Sequence, residues 1–254
     1  MSQKGLCCGL YRGSFYMRDL GNPNSALVPV GNAEAEITQS MTEITTPNFQ
    51  SLGGNSCKVE YPESVGLTMT LHCTKPDNLA LAFLGEAIQK MGGTNTETYT
   101  VRDYDTLIAF ETVPLKTTIV VTDGEMVPTA YTVNTDYVVT NAGIKIPEGS
   151  TIPLNSEIEV TYDFGKNWTV EAQTVSQKTF EVVLDGVNVG EDGNRSVVLK
   201  AWKVKFAPTD NFSLISGSDF ASIQLSGEIL RDESKQSGSK FFKIEFSGDA
   251  DSAY

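Results

Sequence analysis

A mainly β fold, two packed sheets (a sandwich or partial barrel) with one flanking helix, is what three features of the 254-residue sequence predict. Short segments alternate apolar and polar side chains with period two, which puts one set on a buried face and the other in water. Gly, Asn and Asp punctuate them at intervals suited to a sandwich or partial barrel. One segment alone breaks to helical spacing, and its apolar face has only a sheet to pack on. With 40% hydrophobic and 20% charged residues the chain has the composition of a globular protein with a core, read as one domain over 1–254.

The elements follow in order. "VGLTMTLHC" places Val65, Leu67, Met69, Leu71 and Cys73 on one face, with Gly66, Thr68, Thr70 and His72 opposite. "TKPDNLALAFLGEAIQKMGG" repeats Ala80, Leu84, Ala87, Ile88 and Met91 at three-and-four spacing between start signals at Thr74, Pro76 and Asp77 and a stop at Gly92 and Gly93. It predicts a helix of about four turns, with Gly85 read equally as a close backbone approach or as a glycine the helix tolerates. Residues from about 100 to 165 form a hairpin-rich insert, its strands joined by turns at Asp123-Gly124, Asn141 to Gly143 and Glu148-Gly149. "KTFEVVLDG" sets Phe180, Val182 and Leu184 inward, followed by turns at Asp185-Gly186 and Asp192-Gly193. "LKAWKVKFAP" groups Val198, Trp202, Val204 and Phe206 against Lys203 and Lys205, and "FFKIEFSG" aligns Phe242, Ile244 and Phe246. "FASIQLSGEILRD" sets Ala221, Ile223, Leu225, Gly227 and Ile229 against Ser222, Gln224, Ser226 and Glu228. Residues 44–56, "ITTPNFQSLGGNS", are too polar for a core strand and too long for a tight turn, which predicts a functional loop.

The chemistry-bearing residues are sparse. A formal net charge of -13 repels phosphate and makes a nucleic-acid reader unexpected. His72 is the only histidine, so a nucleophilic triad must pass through it, yet it sits beside Cys73 with side chains on opposite faces. Cys7 and Cys8 are adjacent rather than spaced for zinc, and "DGVNVGEDGNRS" lacks the calcium-loop register. No phosphate-binding glycine motif occurs. The expectation is a binding or structural protein, not an enzyme, with no cofactor and no metal. The N-terminal run lacks the apolar stretch of a secretory signal, and no segment has the length of a membrane-spanning helix, so free thiols in a reducing cytosol are expected.

Three stretches in order, "YMRDLGNPNSALVPVGNAEAEITQS", "PNFQSLGGNSCKVEYPESVGLTMTLHCTKPDNLALAFLGEA" and "WKVKFAPTDNFSLISGSDFASIQLSGEILRD", resemble the tail tube proteins of bacteriophages with long non-contractile tails. The lead from Arg18 to Asn22, the Gly53-Gly54 pair and the strand feeding directly into a helix are the most specific pieces. "TAYTVNTDYVVTNAGIKI" followed by "IEVTYDFG" is similar to the insert that some tube proteins carry. The start at Cys7-Cys8 departs from the pattern, and the chain ends at Tyr254 without the immunoglobulin-like decoration of some relatives.

The resemblance implies a virion structural subunit, made and assembled in the host cytoplasm, that forms homohexameric rings stacked into a conduit for genome ejection. Its implied partners are further copies of itself, a tape measure protein, a tail terminator and double-stranded DNA that passes without specific binding; no membrane is involved. Strands joining edge to edge around the ring make a continuous barrel. On this expectation Ser222, Gln224, Ser226 and Glu228 face the lumen, although alternation alone does not separate a channel from an outer wet face. Lys203 and Lys205 fit the exterior or a subunit contact better than the lumen. The loop bearing Pro47, Phe49, Leu52, Gly53 and Gly54 reaches a neighbouring subunit or ring. The rival reading is a carbohydrate-binding or adhesin-type β-sandwich, for which Trp168 and Trp202 are the available platforms.

Overall fold

Each alternating segment becomes a strand where a neighbour completes its ladder of backbone hydrogen bonds. A computed structural model describes residues 9–22, 24–47, 55–190, 193–214 and 220–247. In chain order the elements are β1 Tyr11–Asp19, β2 Val28–Gly31, β3 Ala33–Pro47, β4 Asn55–Leu71, α1 Pro76–Ala82, β5 Glu86–Lys90, β6 Gly93–Thr100, β7 Leu107–Ala109 and β8 Val120–Thr122. They continue as β9 Val138–Val139, β10 Gly143–Lys145, β11 Glu157–Phe164, β12 Asn167–Glu171, β13 Thr179–Gly190, β14 Gly193–Phe206, β15 Ile223–Ile229 and β16 Phe242–Phe246. The protein is mainly β, with several antiparallel sheets and, among the described residues, one helix and no closed barrel. Two compact units divide the chain: Met1–Ala87 with Val170–Tyr254, and Ile88–Thr169.

The first unit holds an eight-stranded sheet ordered β2-β1-β13-β14-β15-β4-β3, with β16 also paired to β14. The far edge of β14 is shared: Val197 to Ala201 face β16, and Val204 to Phe206 face β15. Between them Phe180 opposes Val204 while Val182 opposes Ala201, so Trp202 and Lys203 stand against a single residue, Glu181. An extra residue bends a strand and reverses which side chains face inward. The grouping of Val198 and Trp202 with Val204 and Phe206 is therefore corrected: Val197, Leu199 and Ala201 point to the core before the bulge, and Val204 and Phe206 after it.

The sheet also curls end toward end. Its terminal strands, β2 and β3, are consecutive in sequence and separated only by Asn32, whose carbonyl accepts the His72 N–H at 2.9 Å. Gly31 makes that corner at φ +91, a backbone conformation that an L side chain rarely adopts. One apolar cluster fills the fold, drawing Phe15 and Met17 from β1, Val65 to Leu71 from β4, Val182 from β13, Leu199 to Phe206 from β14 and Ile223 to Ile229 from β15.

Two sequence expectations about turns and helices are revised. Asp185-Gly186 is no turn, because β13 runs through it and Gly186 pairs with Gly13 of β1. A Cβ on Gly13 would lie 2.3 Å from the Asp185 carbonyl oxygen, so the glycines permit close strand approach. The predicted four-turn helix stops at Ala82, and Glu86 to Lys90 form β5 instead, so Ile88 and Met91 are not helical. Leu84 turns left-handed at φ 51, and the Gly85 N–H reaches the Ala80 carbonyl at 2.7 Å, which caps the helix end. Gly85 does mark a close approach: a Cβ there would meet the Glu171 carbonyl oxygen at 2.0 Å.

The second unit contains the 100–165 segment and has its own core. Sheets ordered β6-β11-β8 and β7-β10-β9 contribute Val121, Ile144, Ile158, Val160 and Tyr162 to one buried cluster. Glu97 accepts hydrogen bonds from the hydroxyls of Tyr99 and Tyr162, and Phe110 stacks against both rings. Buried Asp136 accepts from the Thr132 N–H, the Thr151 N–H and the Thr151 hydroxyl. Strands β5 and β12 pair with each other as a separate two-stranded ladder.

Candidate functional site

The wet side of β15 is where the nominated residues fall. Ile223, Leu225 and Ile229 are 0 to 1% exposed, while Gln224, Ser226 and Glu228 face solvent and Ser222 is partly covered. Antiparallel partners share a face, so the register extends this surface across two further strands. Gln224 opposes Thr70, which opposes Glu34; Ser226 opposes Thr68, which opposes Glu36; Glu228 opposes Gly66, which opposes Thr38. Ser40 and Ser64 continue it with their hydroxyls 2.7 Å apart. The result is a sheet surface of hydroxyls, one amide and three carboxylates.

On its other side Glu228 opposes Lys205 of β14, which puts Lys205 on the same surface. The alternation already sets Lys205 opposite Val204 and Phe206, and the register shows that the wet face it occupies is the one that carries Glu228. His72 lies at the other end, its Nε2 3.6 Å from the Glu34 carboxylate. Glu34, Glu36, Thr38, Thr68 and Thr70 were not nominated from sequence. The same alternation marks them, but only the register shows that they join β15.

The second feature is an arm. Residues 44–56 are not a loop throughout, because β3 runs to Pro47 and β4 begins at Asn55. A core-burial pattern is the wrong criterion here, since β15 leaves β4 at Gly66 and, among the described residues, the outer parts of β3 and β4 pair only with each other. Pro47 opposes Asn55 at the end of that ladder; Phe49, Leu52, Gly53 and Gly54 lie outside the described residues. One face of the ribbon carries Ile44, Val59 and Tyr61, exposed by 55, 59 and 45%. The other carries Lys58 bonded to Glu60 and Glu43 at 2.5 and 2.9 Å, and these carboxylates, Glu60 first, raise its pKa above the ordinary lysine value. The remaining edge of β3, 15 residues long, pairs with no other strand among the described residues.

A family model described as "Protein of unknown function UCP028589" matches residues 10–245, nearly the whole chain. The chain belongs to that family. No curated protein matches it. The match takes in every strand of both units except the last residue of β16, Phe246, and with them the wet face and the arm of this UCP028589 member.

Other candidate chemistry in this family member is thin. No group of three His, Cys, Asp or Glu side chains able to hold a metal occurs among the described residues. Trp202 donates its indole N–H to the Ser239 carbonyl at 3.1 Å, and Lys235 covers its ring at 4.1 Å, so that platform is occupied. Trp168, on β12, is half exposed.

Proposed function

We propose that this protein is the subunit of a phage tail tube, a virion structural protein whose hexameric rings stack into a conduit for DNA, with the β15-β4-β3 face lining the bore. The observation that carries the reading is that face itself. Three carboxylates stand against one lysine on a hydroxyl-rich sheet, in a chain whose net charge is -13. A bore must pass a polyanion without gripping it, and every Lys or Arg that engages a phosphate adds to the grip. Here Lys205 is set opposite Glu228, and the rows beyond it are neutral or acidic.

Two further features support assembly. A long unpaired edge strand is a template for pairing with another chain, and β3 offers one along the border of this face. An isolated two-stranded ribbon is at best marginally stable in water, so the arm gains order when a neighbour covers it. The ordered resemblance of three stretches to tail tube proteins points the same way. In this reading the protein performs no catalysis and takes no cofactor; its work is geometric, holding open a hydrated, non-adhesive channel.

The test is a double charge reversal. Tubes of the Glu34→Lys, Glu36→Lys protein should still form, but should retain short double-stranded DNA at low salt where wild-type tubes do not. Equal DNA retention by the two would contradict a bore-lining role.

A further inference from the structure

Helix α1, strands β1 and β2 and residues 175–180 border a cavity of about 460 Å³ in the first unit, away from the wet face and the arm. Its walls are tied to one another. Lys75 donates from Nζ to the Pro29 carbonyl at 2.6 Å, the Val175 N–H reaches the Leu84 carbonyl at 3.0 Å, and Lys178 pairs with Asp19 at 3.2 Å. Most of the lining is apolar, with Met17, Val30, Leu81, Leu84, Phe180 and Phe206 in it. The Phe180 and Phe206 rings stand 6.2 Å apart and tilted by 48°, which leaves a face and an edge for a third ring. A preformed apolar recess of this size with a few fixed polar groups is the usual form of a small-molecule site.

One polar group of the lining is only half used. Asn78 is 3% exposed, and its amide nitrogen donates to two backbone carbonyls, those of Val30 and Cys73. Two carbonyl partners settle which end of the amide is nitrogen. Its oxygen, Oδ1, accepts from no described residue. Buried acceptors are normally paired, so a molecule that enters the cavity and displaces solvent from Oδ1 must bring a donor or lose affinity. Charge selects little here: Lys178 is held by Asp19, Lys75 by a carbonyl, and Asp77 and Glu86 are exposed. We propose that the cavity binds a neutral aromatic molecule of the phenol or indole class, its ring against Phe180 and Phe206 and its O–H or N–H donating to Asn78 Oδ1. The site belongs to the single copy and does not rest on the assembly reading above.

Indole and N-methylindole test the claim, because they share an aromatic body and differ in the donor. Titrated calorimetrically into the full chain below the concentration at which it assembles, indole should bind and N-methylindole should bind roughly tenfold more weakly. Val28→Trp, at a half-exposed position of the lining, should fill the cavity and abolish indole binding while the unfolding midpoint stays unchanged. Equal affinity for the two compounds would overturn the hydrogen bond to Asn78. Indole binding that survives Val28→Trp, or no binding by either compound, would overturn the site. Binding by single copies that disappears in assembled tubes would assign the cavity to a neighbouring copy and overturn the proposal as well.

Discussion

Asn78 is 3% exposed, and its side-chain amide donates to the Val30 and Cys73 carbonyls at 2.8 Å each, tying the helix to the end of β2 and to the exit of β4. Removing the donor strands two buried carbonyls. Asn78→Ala should therefore cost about 2 kcal/mol of stability, read as a lower urea midpoint; an unchanged midpoint would show that the tie is dispensable. Glu97 sets a pH dependence in the second unit. Burial alone would raise its pKa, but the Tyr162 and Tyr99 hydroxyls, with the Glu111 N–H and the Asn95 amide, outweigh it and leave it below the ordinary glutamate value of 4.5. A folded-state pKa below the unfolded one contributes stability that is present above the unfolded value and is lost as pH falls through the folded one. Glu97→Gln should flatten the acid-side loss of stability in thermal unfolding, and an identical acid profile would contradict this role. Neither residue stood out in the sequence, because an amide on a helix or a glutamate on a strand carries no signal until its partners, 48 and 65 residues away, are known.

At the scale of elements, alternation revealed β15 and the core half of β4 directly, since one buried face and one wet face is the condition it encodes. It failed where that condition lapses. The arm has water on both faces, so residues 44–46 include no buried side chain and yet are strand. The bulge at Trp202 and Lys203 shifts the alternation mid-strand, which no local pattern announces. The helix was overextended because Ile88 and Met91 continued the spacing, whereas the close approach of Gly85 to Glu171 obliges the chain to leave the helix. Gly85→Ala should accordingly destabilise the first unit, and a stability equal to wild type would mean that the backbones separate at little cost. Deleting residues 44–56 removes no member of the buried core cluster. The shortened chain should fold with an unchanged unfolding midpoint and fail to polymerise; normal tubes in negative stain would contradict the arm's part in assembly.

For the molecule as a whole, the features that remain unsatisfied in one copy are those that many copies together would satisfy. Among the described residues the outer edge of β3 lacks a partner strand and the apolar face of the arm stays exposed. Electron microscopy of the purified protein at rising concentration tests this most directly. The account predicts hollow tubes of uniform width, built from stacked rings, whose reconstruction puts Glu34, Glu36 and Glu228 on the bore. A protein that remains a single copy at all concentrations, or tubes that carry this face on the outside, would contradict it.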